Sequence, residues 1–245
     1  MKISIIMCVM NSMPYLMSSI ESFKKQKYKN KELIIVHTKS NDHTEQYLNS
    51  IKDKNIRKFD FNGSIYKSLN FGVNMSKGNI VGVLHSDDVF YSKYILNKVA
   101  NEFKKKKIDI VFGNILYSNK NNLLDIKRVW NKIYLKKKYD IPPHTGTFIK
   151  KKICKNFKYK ENYSISSDTD FLIKIFSNNF KYKYINSFIS IMRLGGISSN
   201  LFSQYKKLKE DIEIYKSHKL NFFDYLMKIF SKTSQVLNVN KILKN

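Results

Sequence analysis

Short apolar runs alternate with amphipathic segments through the first 118 residues, and this alternation restricts the possible fold more than any other feature. The runs KISIIMCVM (residues 2–10), ELIIVHT (32–38) and NIVGVLHS (79–86) have the length and composition of buried strands. Between them, apolar residues recur at helical spacing. Such alternation predicts an α/β fold, with a mostly parallel sheet and helices on both of its faces.

Local signals predict where several of the other elements begin and end. Pro14 suits the first turn of a helix after the first strand. The segment SIYKSLNFGVNMSKG (64–78) is typical of a helix, and we expect Gly78 to be its C-terminal cap. A helix over about 92–105 and a strand over 109–118 complete this half of the chain.

After about residue 118 the alternation becomes less regular. SSDTDFLIKIFSNN (166–179) predicts a capped amphipathic helix, KYKYINSFISIMRL (181–194) is strand-like, and the basic tail is helical. No clear linker interrupts the chain. We expect a core domain over residues 1–200, made of two halves over 1–118 and 119–200. A helical C-terminal extension over 201–245 follows it.

The chain is strongly basic, with 45 lysines and arginines against 19 acidic residues and a formal net charge of +26. A positive surface attracts anionic lipid, nucleotide phosphates and nucleic acid alike, so charge alone does not select a partner. The amphipathic stretch 222–237 is typical both of a membrane-binding helix and of a helix packed on the core. Both interpretations stay open.

We expect neither a signal peptide nor a membrane-spanning segment. The first apolar run lacks a cleavage site, and no run approaches the roughly 18–20 residues that span a bilayer. Cys8 and Cys154 lack metal-ligand spacing, so we expect a reduced, cytoplasmic setting. No P-loop, dinucleotide-binding, zinc or nucleophile-elbow motif is present.

Three groups of residues could carry chemistry. Asp87 and Asp88 follow the strand predicted over residues 79–86, at the end of a strand where ligands bind in parallel sheets. They could hold Mg²⁺ or Mn²⁺, or alternatively they begin a helix. Asp168 and Asp170 could cap a helix, or one of them could remove a proton from an attacking hydroxyl. His144 follows two prolines in a loop, where it could bind phosphate or metal or remain polar surface.

Six segments, taken in order, resemble the motifs of family 2 glycosyltransferases, which have the GT-A (Rossmann-like) fold. The resemblance is greatest to bacterial members that build O-antigen, capsule, colanic-acid-type and related surface polysaccharides. It includes the opening strand and helix, SNDHT, the helix that leads into HSDD, PPHTGTFIKK, YSISSDTDFLIKI and MRLGGISS. The segments cover residues 3–36, 40–44, 63–91, 142–151, 163–175 and 192–199.

The resemblance implies an inverting glycosyltransferase that depends on Mn²⁺ or Mg²⁺ and uses a nucleotide-sugar donor, expected to be UDP-linked. Asp88 would coordinate the cation, with Asp87 beside it, and the cation would neutralise the departing diphosphate. Asp168 matches the general base that deprotonates the acceptor hydroxyl. Residues 1–118 would be the nucleotide-sugar-binding half and 119–200 the acceptor half.

The resemblance also assigns residues around these carboxylates. Two positions depart from the family pattern: His37 and Lys67 stand where aspartate is usual, and both changes bear on donor recognition. On the nucleotide-sugar side the resemblance implies Asn11, His37, Asp42, Asn70 and Asp87. On the acceptor or diphosphate side it implies His144, Arg193, Gly195 and Gly196.

The expected acceptor is a lipid-linked saccharide or an oligosaccharide. Peripheral contact with an anionic membrane surface at the inner face of the cell membrane would accompany it, and we expect no nucleic-acid partner. Two alternatives remain. A metal-dependent nucleotidyltransferase also uses paired carboxylates, but it gives no reason for SSDTD or RLGGISS. A basic nucleic-acid-binding module would carry aromatic and basic motifs of a known binding fold, which the sequence lacks.

Overall fold

A computed structural model describes residues 1–105, 107–131, 141–195, 201–237 and 239. The strands are β1 (Ile3–Val9), β2 (Lys31–His37), β3 (Ile56–Asp60), β4 (Ile80–Val83), β5 (Val89–Phe90), β6 (Ile110–Ser118), β7 (Ile126–Trp130), β8 (Thr147–Lys150) and β9 (Tyr182–Arg193). The helices are α1 (Tyr15–Lys24), α2 (Thr44–Ser50), α3 (Ile65–Met75), α4 (Ile95–Lys104), α5 (Lys151–Phe157), α6 (Ser167–Phe176), α7 (Leu201–Ser217) and α8 (Phe222–Leu237).

The described strands form one sheet in the order β3-β2-β1-β4-β8-β6-β9-β5, with β7 paired to β6. The strands β3, β2, β1 and β4 are parallel, as the alternation predicts. The rest of the sheet is mixed, because β8 runs antiparallel to both β4 and β6 whereas β9 runs parallel to β6. The parallel arrangement therefore holds in the first half of the chain and not throughout.

The parallel strands are buried on both faces, which explains their nearly continuous apolar sequences. Successive residues of β1 alternate between two core clusters. Ile5 and Met7 pack with the apolar residues of α1 and α4. Ile6 packs on the other face with those of α3, α5 and α6. The helices thus cover both faces, as expected for an α/β fold.

The prediction that Gly78 caps α3 is wrong. The helix begins after Ser64, whose side chain accepts a hydrogen bond from the backbone N–H of Lys67, and it ends at Met75 with Ser76 as its cap. Gly78 instead allows a close approach to β1. A Cβ atom there would lie 2.5 Å from Oγ of Ser4.

The two C-terminal helices pack against α6 and β7. Ile214 and Tyr215 of α7 and Tyr225 of α8 form a small apolar cluster with Ile173 of α6 and with Tyr163. The helix predicted over 222–237 is present as α8. Among the residues that the structure describes, no helix has both the length and the apolar character needed to cross a membrane.

Candidate active site

The predicted site residues follow the carboxyl ends of the parallel strands. Asn11 comes shortly after β1, His37 is the last residue of β2, and Asp87 and Asp88 lie in the turn between β4 and β5. Because the carboxyl ends of parallel strands lie along one edge of a sheet, the fold brings these residues to the same side of the molecule.

Asp88 is buried, with 1% of its surface exposed. Its Oδ1 accepts a hydrogen bond of 3.1 Å from the backbone N–H of Arg193, whereas its Oδ2 has no hydrogen-bond partner within the described part of the chain. Burial and then the charge of neighbouring Asp87 raise the pKa of Asp88 well above its ordinary value. A buried carboxylate oxygen of this kind is stabilised by a cation or a donor.

The Asp87–Asp88 pair fits a hard divalent cation. Asp87 is half-buried and supplies further carboxylate oxygens beside the unpaired oxygen of Asp88. Among the described residues, no group of three His, Cys, Asp or Glu side chains is arranged to hold a metal. Mg²⁺ usually takes only one or two protein carboxylates and completes its shell with water and substrate phosphates, so the pair is sufficient.

Asp168 lies half-buried in the first turn of α6. Its Oδ1 accepts hydrogen bonds from the backbone N–H of Thr169, at 2.9 Å, and from the hydroxyl of Tyr66, at 3.4 Å. The same hydroxyl donates to the carbonyl of Ile165 at 2.5 Å. Asp168 is therefore oriented by α3 as well as by its own helix.

His144 packs against Tyr159 and His85. It occupies a single 3₁₀ turn (His144–Gly146), and its Nε2 is 2.7 Å from the hydroxyl of Tyr159. Burial lowers the pKa of His144 to about 4, although the negative charge of Asp168 acts in the opposite direction. At neutral pH the side chain can therefore offer a hydrogen bond to a substrate but carries no charge for a phosphate.

Asn11 and Asp42 join the loops that follow β1 and β2. Oδ1 of Asn11 accepts from the backbone N–H of Asn41 at 2.7 Å, and the carboxylate of Asp42 accepts from the backbone N–H groups of Met13 and Thr44, each at 3.0 Å. The side-chain hydrogen bond from Thr44 and then these backbone bonds lower the pKa of Asp42, although burial acts in the opposite direction. Both residues shape the predicted nucleotide-side loops through backbone contacts.

His37 ends β2 with its Nδ1 buried and without a hydrogen-bond partner among the described residues. Asn70 has a different environment. Its amide donates to the carbonyl of Tyr159 and accepts from the same residue's N–H, each at 2.9 Å, so it links α3 to the segment after α5. Asn70 and Lys67 also line a cavity of about 310 Å³ between α3 and α5. Their donor-binding roles stay predictions.

Arg193 connects the end of β9 to both Asp88 and α1. Its backbone N–H reaches Asp88, while its guanidinium donates to Oγ of Ser18 at 3.1 Å and lies 4.9 Å from the centre of the Tyr15 ring. Gly195 has a φ of 99°, a backbone conformation that glycine adopts without steric cost. Gly196 lies outside the described residues.

The structure adds residues that the sequence did not single out. The guanidinium of Arg128 on β7 lies 3.5 Å from the centre of the Tyr117 ring on β6. Burial raises the pKa of Tyr117; Arg128 opposes this rise, and the charges of Asp88 and Asp168 add to it. Tyr66 belongs to a segment of the family resemblance. Nothing in the sequence pointed to Tyr117 and Arg128 on the neighbouring strands β6 and β7.

Comparison with known proteins identifies the family. The family model described as glycosyl transferase family 2 matches residues 4–163. The chain belongs to glycosyl transferase family 2. The matched residues include the Asp87–Asp88 pair and end before Asp168, so this match does not bear on the predicted role of Asp168.

Two relatives extend beyond the matched region. An uncharacterized glycosyltransferase of Methanocaldococcus jannaschii is 29% identical over 84% of this chain and 75% of its own length. The minor teichoic acid biosynthesis protein GgaB of Bacillus subtilis is 28% identical over 99% of this chain, which spans 27% of GgaB. Both relatives support the assignment of this chain as a glycosyltransferase.

Solved structures share the fold of this family 2 enzyme. S. aureus TarS 1–349 in complex with UDP-GlcNAc has a TM-score of 0.70 at 19% identity, over 82% of this chain and 61% of that chain. The mannosyltransferase PcManGT from Pyrobaculum calidifontis, in complex with GDP-Man and Mn²⁺, has a TM-score of 0.67 at 11% identity, over 88% and 63%. These similarities confirm the expected GT-A fold.

Proposed function

We propose that this glycosyltransferase moves a sugar from a UDP-linked donor to a saccharide acceptor, with inversion at the anomeric carbon and with dependence on Mn²⁺ or Mg²⁺. The observation that carries the proposal is the placement of two kinds of carboxylate on one side of the sheet. The half-buried Asp87 and the buried Asp88 follow β4, and the separate Asp168 lies in the first turn of α6. The hydroxyl of Tyr66, in the first turn of the helix that follows the carboxyl end of parallel strand β3, lies 3.4 Å from the Asp168 carboxylate.

The comparisons support the donor and the product class. TarS has been solved with UDP and with UDP-GlcNAc, whereas PcManGT has been solved with GDP-Man and Mn²⁺. GgaB, whose similarity extends over 99% of this chain, takes part in minor teichoic acid biosynthesis. We therefore favour a UDP-sugar and a role in the synthesis of a bacterial surface polysaccharide.

In the proposed reaction, the Asp168 carboxylate removes the proton from the acceptor hydroxyl as that oxygen attacks the anomeric carbon. The N–H of Thr169 and the hydroxyl of Tyr66 hold the carboxylate in place. Asp87 and Asp88 would hold the divalent cation, which when bound neutralises the charge of the leaving diphosphate. A base on the side opposite the leaving group gives in-line displacement and inversion.

We further propose that the acceptor is lipid-linked and that α8 contacts an anionic membrane surface. Phe223 and Phe230 lie seven residues apart, at helical spacing, and each has 64% of its surface exposed. The chain carries a net charge of +26, which favours anionic lipid. Tyr225 of the same helix packs into the small apolar cluster, so the two original interpretations of this helix are compatible.

Assays of donor binding and of sugar transfer distinguish the role of the Asp87–Asp88 pair from that of Asp168. Calorimetry should detect a UDP-sugar with Mn²⁺ and much weaker binding without it. Asp88→Asn should lose this metal-dependent binding. Asp168→Asn should retain it and lose transfer by roughly 10²- to 10⁴-fold, the usual contribution of a general base.

Asp53→Asn is a suitable control, because Asp53 lies just before β3, toward the opposite edge of the sheet. It should leave both donor binding and transfer unchanged. Transfer at the normal rate by Asp168→Asn would show that the base assignment is wrong. Failure of a panel of UDP-sugars to bind in the presence of Mn²⁺ would show that the donor assignment is wrong.

A further inference from the structure

A buried carboxylate on α7 holds the segment that leads into Asp168. Glu210 has 7% of its surface exposed. Its Oε1 accepts from the backbone N–H of Ser164 at 2.9 Å and from the hydroxyl of the same residue at 2.8 Å. Its Oε2 accepts from the backbone N–H groups of Ile165 and Ser166, each at 2.9 Å. Three consecutive N–H groups therefore share one side chain.

This contact anchors the residues that lie directly before α6. Ser166 is the N-cap residue of α6, but its side chain makes no capping hydrogen bond. Burial by itself would raise the pKa of Glu210, yet the hydrogen bonds from Ser164, Ile165 and Ser166 outweigh burial and lower it. Glu210 is thus ionised at neutral pH, and it places a negative charge at the start of α6, where the helix dipole is positive.

The backbone N–H and the backbone carbonyl of Ile165 are both held by hydrogen bonds to side chains. Its N–H donates to Glu210, and its carbonyl accepts from the hydroxyl of Tyr66, which also reaches Oδ1 of Asp168. A second contact follows nearby, because Nζ of Lys207 lies 3.2 Å from Oγ of Ser166. Residues 164–166 are therefore clamped between α3 and α7, immediately before Asp168.

The clamp comes from a part of the chain that the family match does not include. The match ends at residue 163, whereas Glu210 lies in α7. Beyond the start of α6, Nε2 of His218 contacts Oδ1 of Asp170 at 2.9 Å. The helix α7 and the turn after it therefore contact residues that precede Asp168 in the chain and a residue that follows it.

We propose that Glu210 is a positioning residue for sugar transfer, and that it acts by fixing the location of the Asp168 carboxylate. This inference rests on the proposed function, in which Asp168 is the base. An attacking hydroxyl and its base must meet within hydrogen-bond distance, and a displacement of about 1 Å can lower the rate by roughly 10²-fold. Residues that fix the base therefore affect transfer without touching the substrate.

Glu210→Gln tests the proposal with little change in volume. The glutamine can keep one acceptor oxygen, but its NH₂ group cannot accept from Ile165 and Ser166. Glu213→Gln is the matched control: Glu213 lies on the same helix, is exposed, and accepts a hydrogen bond of 3.1 Å from the Tyr163 hydroxyl. Glu210→Asp, which keeps the charge on a shorter side chain, is a second variant in case the glutamine variant does not fold.

Hydrogen exchange gives a readout that is independent of catalysis. The amides of residues 164–166 should exchange faster in Glu210→Gln than in the wild type, and they should be unchanged in Glu213→Gln. In transfer assays, Glu210→Gln should lower kcat by roughly 10- to 100-fold. The Kd of the UDP-sugar with Mn²⁺ should stay the same, and Glu210→Asp should retain an intermediate kcat.

A double variant shows whether Glu210 acts through the base. When Asp168→Asn is already present, Glu210→Gln should lower the residual rate by no more than about twofold, since coupled residues are not additive. Wild-type kcat in both Glu210 variants, or multiplicative losses in the double variant, would overturn the proposal. Normal transfer by Asp168→Asn would instead refute the base assignment, and hydrogen exchange would still decide whether Glu210 orders the segment.

Discussion

Asp168 and Asp170 lie two residues apart in α6 and should respond oppositely to the same substitution. Asp170 is fully buried, and its carboxylate contacts Nε2 of His218 at 2.9 Å, Nζ of Lys160 at 3.2 Å and Nζ of Lys174 at 3.3 Å. Asp168 is half-buried and makes one short hydrogen bond, to the next residue's N–H. We therefore expect Asp170 to support the fold and Asp168 to support the reaction.

The expected loss of stability in each variant follows from these environments. Removing one member of a buried ion pair destabilises a protein by about 3–5 kcal/mol. The side chains of Lys160 and Lys174 are 38% and 31% exposed, so water can hydrate them after the change, and we expect Asp170→Asn to lower the free energy of unfolding by about 2–3 kcal/mol. In a chain of this length that corresponds to a fall in Tm of roughly 4–12 °C. Asp168→Asn should stay within about 0.5 kcal/mol of the wild type.

The pH dependence of the Tm difference tests whether the charge interactions of Asp170 cause the loss of stability. Burial alone would raise the pKa of Asp170, but the hydrogen bond from His218 and the charges of Lys174 and Lys160 outweigh it and lower the pKa. A lowered folded-state pKa gives stability that is complete above the unfolded value of about 3.9 and is lost as the pH falls through the folded value. The Tm difference between wild type and Asp170→Asn should therefore be constant near neutral pH and shrink in acid.

Thermal unfolding followed by circular dichroism, at neutral and at acidic pH, measures these differences directly. Transfer assays on the same samples should give the reverse order, with Asp168→Asn far less active than Asp170→Asn per folded molecule. Equal losses of Tm in the two variants would refute the separation of roles. A Tm difference that does not shrink in acid would refute the electrostatic explanation for Asp170.

Three further predictions test the fold and the proposed membrane surface. Glu32→Ala removes a buried acceptor of a serine hydroxyl and a backbone N–H, so urea unfolding should show a loss of about 3 kcal/mol, and Glu32→Gln, which keeps one acceptor oxygen, should lose less. Gly72→Ala should lower stability by about 1–3 kcal/mol despite its better helix propensity, because the new Cβ would lie 2.5 Å from Cγ2 of Ile6; unchanged Tm would contradict this close packing. Replacing Phe223 and Phe230 by serine should weaken sedimentation with anionic vesicles while leaving donor Kd unchanged, and equal sedimentation would count against α8 as the membrane contact.

Much of the site could be located from the sequence because it depends on local order along the chain. Asp87 and Asp88 follow a buried run directly, and the carboxyl end of a parallel strand is a predictable place for a ligand. Asp168 precedes an amphipathic pattern, so its position at a helix start was also predictable. Residue type and spacing alone could not distinguish Asp168 from Asp170, and only the family resemblance singled out Asp168. Their different environments depend on the distant Lys160 and His218.

Periodicity and residue type are local properties, and they predict the strands and helices of the parallel half; the order of the motifs along the chain identifies the family. The antiparallel pairing of β8, the close approach at Gly78 and the hydrogen bonding of Asn70 to Tyr159 depend instead on tertiary packing. It also brought Glu210 of α7 to the segment before Asp168. Such contacts join groups that are distant along the chain, and they exist only once the packed core has fixed where each element lies.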